Sequence, residues 1–543
     1  QYDSWSGEHG WSYHEYQIKT VISSHAFKDL LVIAPTGAGK TIAGFLPSIL
    51  DISNKKANNL GLHTLYISPL KALIYDIERN LAKPLKELAL DISLDVRTGD
   101  TPYYKRKKQM LHPSNFLITT PESLALLMSY SEAKSIFSNL KFIIIDELHN
   151  LMHTKRGDLL SLNLARLNSF SKSAKRIALS ATINNKKNAL KYISRSNKSI
   201  IVEHADKPRF KISILKSKNT LPWSGHMATF AVKTIYQEIA KCKGAIVFVN
   251  TRAQSEHLFQ ELWKINQKGL KIAIHHGSLD KKIRKKVESK MFNGELNCII
   301  ATSSLELGID WGNVELVIQV GAPKGISRMI QRIGRSNHNI NIQSRALLLP
   351  TNKFEYLECV AAIKCISNYN IEITNEKEGS IDVLAQHING IACSEDFNID
   401  YIFSKIKDAY PYRNITKRTL KEVVDFVANG GYSLKNYVQY SRLKLNNSGK
   451  YSLSNNKVKQ KYRMNIGTIV ENELMIIIYN RKKLGVIEES FIRNLSKGDT
   501  FLFAGAIYKI DKIMTNQVHV KKTISKTPKI PSYVGGKLPL STK

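Results

Sequence analysis

Leu30-Leu31-Val32-Ile33-Ala34-Pro35-Thr36-Gly37-Ala38-Gly39-Lys40-Thr41 is the stretch on which the fold turns. Its apolar run over 30–34 reads as a strand buried on both faces, the habit of a parallel sheet. The glycine-rich turn after it opens a helix near Lys40. Glycines let backbone wrap closely around phosphate oxygens, with successive N–H groups pointing into the loop. Thr36, Gly37, Ala38 and Gly39 form that cradle, Lys40 reaches the β and γ phosphates, and the Thr41 hydroxyl binds Mg²⁺. The implied ligand is a nucleoside triphosphate, and with no N-K-x-D guanine signature in the chain, ATP. The strict loop pattern asks for glycine where this chain has Ala34.

Working outward, similar apolar runs recur at 64–68, 116–119, 142–146 and 177–180, with helical patterns between them. The pattern starts again after Pro208, at 245–249, 272–275, 298–301, 316–320 and 346–349. Strands alternating with helices predict two α/β units in tandem, joined near 203–212, with a polar loop over 216–225 early in the second. Helical patterns then follow at 381–393, 398–409 and 416–428, ending at Asn429-Gly430-Gly431. They suit a winged-helix or helix-turn-helix module. From about 445 the texture is β-like, at 464–470, 474–479, 484–489, 500–504 and 507–510, which predicts an antiparallel barrel or sandwich. The expected domains are 1–205, 206–368, 369–443 and 444–543, the last interrupted by the end of the sequence at Lys543.

Composition narrows the partners. Lys and Arg number 80 against 45 Asp and Glu, a formal net charge of +35. Such an excess favours a polyanion, most often nucleic acid. The 5 cysteines are odd in number and never form a C-x-x-C pair, which suits a reducing cytoplasm without disulfide scaffold or zinc knuckle. No run approaches the ~18 uncharged apolar residues of a membrane span.

Two further constellations complete a phosphate-handling circuit. Asp146-Glu147-Leu148-His149 follows a buried strand, and adjacent carboxylates there are costly unless something positive sits between them. Asp146 is read as a Mg²⁺ ligand and Glu147 as the residue that polarises the attacking water. His149 can couple this point to Ser180-Ala181-Thr182 at the end of the next strand. In the second α/β unit, Gln331-Arg332-Ile333-Gly334-Arg335-Ser336-Asn337-His338 places two arginines three apart on a helical turn. An arginine brought to the γ phosphate from another domain contributes about 10³–10⁵ in rate in related NTPases. Gln331, Arg332 and Arg335 are therefore candidate catalytic residues. Gly308 and Asp310, in Ala301-Thr302-Ser303-Ser304-Leu305-Glu306-Leu307-Gly308-Ile309-Asp310, are directed to the same nucleotide.

These motifs resemble those of superfamily-two DExH helicases, and the detail resembles the large helicase-related family, nearest to bacterial ligase-associated DEXH-box helicases. The likeness includes Gly61-Leu-His-Thr-Leu-Tyr-Ile-Ser-Pro-Leu-Lys-Ala72, Arg97-Thr-Gly-Asp-Thr101, Thr120-Pro-Glu-Ser123 and Thr154-Lys-Arg-Gly-Asp158. It continues through Asp382-Val-Leu-Ala-Gln-His387 and Tyr533-Val-Gly-Gly-Lys-Leu-Pro-Leu-Ser541, over nearly the whole chain. The resemblance implies two RecA-like domains, a winged helix and a β-rich module. It implies ATP-dependent 3′→5′ movement on single-stranded DNA, able to unwind DNA or RNA–DNA duplexes in DNA repair, often beside a DNA ligase and a nuclease. A monomer is expected. Gln17 matches the position where such helicases contact adenine.

Strand contacts are expected just beyond strand ends, the edge that faces ligand in such sheets. The candidates are Ser68, Pro69, Lys71, Arg97, Thr98, Gly99 and Thr120 in the first unit, and Asn250, Arg252, His276, Gly277 and Thr302 in the second. Small hydroxyls, glycine N–H groups and single basic residues suit phosphate tracking without base readout. The basic clusters 105–108 and 281–286 read instead as solvated helix faces. Two alternatives stand beside the DNA translocase: an RNA-remodelling DExH ATPase and a nucleotide-gated nucleic-acid-binding scaffold.

Overall fold

The computed structural model describes residues 12–531, apart from 36, 54–60, 89, 195–197, 205–208, 216–220, 226, 307–313, 338–342, 373–375, 432–433, 435–440, 468–473, 515 and 526. The chain divides into two compact units that interleave in sequence: 1–207 with 373–468, and 208–372 with 469–543.

In the first unit β1 (Asp29–Ile33), β2 (Thr64–Ile67), β3 (Leu94–Arg97), β4 (Phe116–Thr119), β5 (Phe142–Ile145), β6 (Lys175–Ser180) and β7 (Ser199–Glu203) form one parallel sheet, ordered β3-β4-β2-β5-β6-β1-β7. Central strands such as β2 and β5 are buried at every position, which is why they read as unbroken apolar runs. Register pairs Leu31 with Ala178 and Tyr66 with Ile144. The loop of residues 34–39 thus leaves the carboxyl end of β1, one strand away from β6 and two from β5.

The second unit repeats the plan with β8 (Phe210–Ile214), β9 (Ala245–Phe248), β10 (Ile272–His275), β11 (Cys298–Ala301), β12 (Leu316–Val320) and β13 (Ser344–Leu349), ordered β10-β11-β9-β12-β13-β8 and all parallel. β8 lies where the connector was expected to end.

Each sheet domain carries its own accessory module. In the first unit, helices Ile381–Ala392, Ile399–Lys407 and Lys417–Asn429 precede a small hairpin, β14 (Leu443–Leu445) with β15 (Tyr451–Leu453). Gly430 ends the third helix in the left-handed conformation, φ 78°, which glycine adopts without a Cβ clash. Val383, Leu384, Ile388, Ile402 and Val424 share one core with Ala125, Leu159, Leu162 and Ala165 of the sheet domain. Arg166 adds a 2.9 Å ion pair to Glu395 across that joint.

In the second unit β16 (Leu474–Tyr479), β17 (Lys482–Glu488), β18 (Thr500–Phe503), β19 (Ala506–Ile513) and β20 (Gln517–Lys522) form a sheet ordered β17-β16-β20-β19-β18. It is a single sheet with one parallel pair, β16 with β20, rather than the expected antiparallel barrel or sandwich. The strand expected at 464–470 is also corrected. A helix, Asn456–Asn465, occupies 464 and 465, started by Asn455, whose side chain accepts the Val458 amide; 468–470 lie outside the described residues.

The β-rich module is joined to its sheet domain by backbone as well as core. Val486 N donates to Ser278 O at 2.9 Å, and Asp280 N donates to Leu484 O at 2.8 Å. Ile274 and Leu279 pack with Ile477, Ile487, Phe501 and Phe503. At the centre sits Glu256, fully buried, whose carboxylate accepts the Ala504 amide at 2.6 Å and the Gly505 amide at 2.8 Å, with His276 Nε2 at 3.1 Å. Ala504 and Gly505 both have positive φ, so their amides point together out of the hairpin turn. Glu256→Ala leaves those groups buried without an acceptor and should cost about 3 kcal/mol. A fall in the denaturant midpoint of the whole chain, with loss of β-rich-module protection in amide exchange, is the expected measurement.

Candidate nucleotide site and nucleic-acid edge

Between β1 and the helix Lys40–Ser53, Gly37 and Gly39 take φ of 81° and 76°, turning the backbone as a phosphate cradle needs. A second device holds this loop from behind. Gln17 is buried; its Nε2 donates to Gly39 O at 3.2 Å, and its Oε1 accepts the His14 amide at 2.9 Å. A Cβ at position 39 would stand 2.7 Å from Gln17 Nε2 and displace that amide, while the positive φ is what favours glycine there. Tyr16 donates its hydroxyl to Ala38 O. Gln17 is thus tied to the loop itself. Thr36 lies outside the described residues.

β5 delivers Asp146 and Glu147 to the same edge. Asp146 accepts the Tyr66 hydroxyl and, at 2.8 Å, the Glu147 amide, while Glu147 adopts a left-handed φ of 48°. Burial and the neighbouring Glu147 carboxylate push Asp146 above the usual carboxylate range, and Lys40 opposes this. Lys40 is itself buried, and Thr41 half-buried. Two carboxylates crowded out of water suit a divalent cation. Among the described residues no cluster of three or more His, Cys, Asp and Glu is arranged to hold a metal. Mg²⁺, which needs few protein ligands because it keeps phosphate and water in its shell, would fit beside such carboxylates.

The expected link from His149 to the next strand is present. His149 Nδ1 lies 2.8 Å from Ser180 Oγ, and its Nε2 lies 3.4 Å from Glu147 Oε2 and 2.8 Å from Asn150 Nδ2. Burial pushes this imidazole down to about 4, so it is neutral at pH 7. His387, buried at the accessory-module joint, is pushed down to about 3, first by burial and then by Arg166. In the unfolded chain both titrate near 6.5. The stability they contribute is therefore full above about pH 6.5 and is lost as pH falls toward 4 and 3. His149 accounts for on the order of 3 kcal/mol over its window and His387 for on the order of 5 kcal/mol. Urea unfolding should show a lower midpoint at about pH 5 than at pH 7.5, less so in His387→Asn.

In the second unit the helix Ile326–Ile333 carries Gln331 and Arg332 and leads into Arg335; all three are buried. Arg332 is held within its own unit. Its Nε donates to Glu306 at 2.8 Å, its other nitrogens to Glu306 and Gln319, and its guanidinium lies 5.1 Å over the Phe248 ring. Gln319 Nε2 in turn lies 3.4 Å from Asn250 Oδ1. Arg335 Nε is 3.4 Å from Gln331 O. Gly308, Asp310 and His338 lie outside the described residues.

The strand-contact candidates divide. Lys71 is exposed beside the open backbone of Gly99 and pairs with Asp100 at 3.2 Å. Ser68 and Pro69 are buried at the end of β2, and Thr98 Oγ1 accepts the Asp100 amide. Thr120 caps the helix Pro121–Met128 by accepting the Ser123 amide. Gly277 is exposed with open space around it, Arg252 donates to Ser278 Oγ at 2.9 Å, Asn250 Nδ2 donates to Ala322 O at 3.0 Å, and Thr302 is buried after β11.

Two expectations need correction. Arg97 is 1% exposed and donates to Arg106 O at 3.0 Å, so its guanidinium is inside the domain and not on the strand-facing edge. Burial lowers it to about 10. His276 is fully buried in the Glu256 joint and is a packing residue. Sequence reasoning missed Arg106, which donates to Gly99 O at 2.7 Å and fixes that loop, and Tyr66, whose hydroxyl orients Asp146. Arg106 was hidden in a basic run; Tyr66 was visible as the one phenol within an apolar strand.

Two RecA-like parallel-sheet domains, a winged-helix domain and a β-rich sheet are the architecture of a superfamily-two helicase core. Residues 14–190 match the DEAD/DEAH box helicase model, 230–339 the helicase conserved C-terminal domain, and 364–530 the winged helix domain of large helicase-related protein. The ATP-dependent helicase Lhr-Core of Methanocaldococcus jannaschii is 35% identical, over 97% of this chain and 63% of its own length. The Lhr helicase/probable uracil glycosylase of Mycolicibacterium smegmatis is 28% identical, over 93% of this chain and 37% of its own. Among solved structures, Mycobacterium smegmatis helicase Lhr bound to ssDNA and AMP-PNP superposes with a TM-score of 0.75 at 30% identity, covering 86% of this chain and 61% of that one. The DUF1998 helicase MrfA bound to DNA shares the fold, with a TM-score of 0.74 at 21% identity, over 94% and 71%. The chain belongs to the Lhr, or large helicase-related, family. It spans less than two thirds of the length of these Lhr relatives.

Proposed function

We propose that this chain is an ATP-driven helicase that moves 3′→5′ on single-stranded DNA and unwinds DNA or RNA–DNA duplexes in DNA repair. The observation that carries this reading is the convergence of Lys40, Asp146, Glu147 and the His149–Ser180 pair on the carboxyl edge of one parallel sheet. Lys40 and the loop amides bind and orient the triphosphate, and Thr41 and Asp146 would hold the Mg²⁺. That ion, when bound, screens the β and γ phosphates. Glu147 takes a proton from the attacking water. His149, neutral and hydrogen-bonded to Ser180 and Asn150, links the segment after β5 to the end of β6 beside the Glu147 carboxylate. Arg335 and Gln331 of the second unit are assigned catalytic roles in hydrolysis, and Arg332 anchors their helix. Gly308 and Asp310 are assigned to the same nucleotide, and Gln17 to adenine.

DNA is favoured as the track because the solved relative at 30% identity is bound to ssDNA. Lys71, Gly99, Thr120, Arg252 and Gly277 are the proposed phosphate contacts, supported by the charge of +35. The setting proposed is a monomer in a reducing cytoplasm, where its free cysteines stay reduced, acting beside a DNA ligase and a nuclease. Among the described residues, no helix is long and apolar enough to cross a membrane.

The test is strand displacement on duplexes bearing a 3′ or a 5′ single-stranded tail, with DNA and RNA versions in parallel. ATP-dependent displacement confined to 3′-tailed DNA strands is expected. Displacement only from RNA-tailed duplexes would instead support the RNA remodeller, and nucleic-acid-independent hydrolysis would end the translocase reading.

A further inference from the structure

The helix Ile326–Ile333 is held at its amino end by a single carboxylate from far along the chain. Glu372 Oε1 accepts the Ile326 amide, and Oε2 accepts the Ser327 amide at 3.1 Å and the Ser327 hydroxyl at 2.9 Å. A helix leaves its first amides without intrahelical partners, and their partial positive charge favours an anion. The capping position itself is Gly325, which has no side chain to offer. Its φ is 126°, and a Cβ there would stand 3.0 Å from Glu372 Oε1. Glycine therefore admits this conformation, and its missing Cβ leaves the carboxylate room to approach. Immediately after Glu372 the chain passes into the other unit.

We propose that Glu372 is a positioning residue for the arginine-bearing segment, setting the tilt of Ile326–Ile333, and so the place of Arg335, from the connector between units. This rests on the role given to Arg335 above. The helix has 8 residues and is about 12 Å long. A tilt of roughly 10° at its amino end displaces the far end by about 2 Å, and a misplacement of about 1 Å can cost ~10²-fold in rate. Glu372 is committed to Ile326 and Ser327 and is not among the residues assigned to nucleotide or metal, so its removal should act on turnover and leave ATP affinity alone.

The experiment is steady-state ATP hydrolysis by the full chain with saturating single-stranded DNA, alongside thermal unfolding. Glu372→Ala should lower kcat roughly 10-fold or more, with KM for ATP and DNA affinity close to the parent and the thermal midpoint lowered by only about 2–4 °C for the unmet helix-start amides. Glu372→Gln, which keeps one acceptor oxygen, should fall between. Parental kcat in Glu372→Ala overturns the inference, as does a loss of kcat matched by loss of ATP binding and of thermal midpoint. Should Glu372→Ala fail to fold, Glu372→Gln decides: an intermediate kcat supports the role, and a parental one overturns it. Arg335→Ala is run beside them. If it still hydrolyses ATP, the reading of Arg335 fails; if it is inactive while Glu372→Ala is not impaired, only the positioning role fails.

Discussion

Arg335→Ala is expected to lower DNA-stimulated ATP hydrolysis by about 10³-fold or more, the range measured when an arginine is withdrawn from a γ phosphate. The neighbouring Arg332 is a poorer probe. It is bound to Glu306 and Gln319 inside its own unit, so its loss leaves a buried carboxylate unpaired and disturbs folding. Arg335 sits in the turn after that helix and is also buried, so thermal unfolding of the variant is measured beside its turnover. The measurement is single-turnover hydrolysis at saturating DNA, with binding of a fluorescent ATP analogue to verify that affinity is kept. Turnover within about tenfold of the parent would remove Arg335 from the site and, with it, the idea that the second unit takes part in hydrolysis.

Lys40→Ala should reduce turnover by about 10²–10³-fold, as deletion of one preorganised donor to a charged transition state does, and weaken ATP binding. Salt-sensitive binding of single-stranded DNA should be nearly unchanged, because the proposed phosphate contacts are elsewhere on the sheet edge. A local effect is also expected. Lys40 opposes the upward push on Asp146, so removing it raises that carboxylate further and weakens the hold on the metal ion. Mg²⁺ should consequently raise the thermal midpoint of the parent with ATP analogue by more than it does for the variant. Equal hydrolysis by the two proteins would mean that the glycine-rich loop serves something other than nucleotide.

The central strands and the loop were legible because several local signals agreed. β1, β2 and β5 are apolar at successive positions, and the loop after β1 carries glycine at both places where φ is positive. β3 and β7 were passed over because they are edge strands, part exposed, and Leu94-Asp95-Val96-Arg97 lacks an apolar run. Asn455 was the readable start of the helix taken for a strand, overlooked beside the apolar Met464 and Ile466. Arg97 and His276 show a different limit. Position at a strand end was right for both, since β3 ends at Arg97 and β10 at His275. The direction of each side chain was not, because alternate residues of a strand point to opposite faces and burial decides between them. The Glu256 joint had little sequence signal: besides His276, its partners are backbone amides of residues 504 and 505.

The shared core under Leu159, Leu162 and Val424 has a practical corollary for anyone cutting the gene. A fragment stopping near residue 368 keeps both ATPase halves on paper, yet strips an oily saddle from the first of them and the Glu256 socket's plug from the second. Such a product should aggregate. Recombination faces the same obstacle: neither half can be inherited as one uninterrupted exon-like block, so the two must be swapped together or not at all.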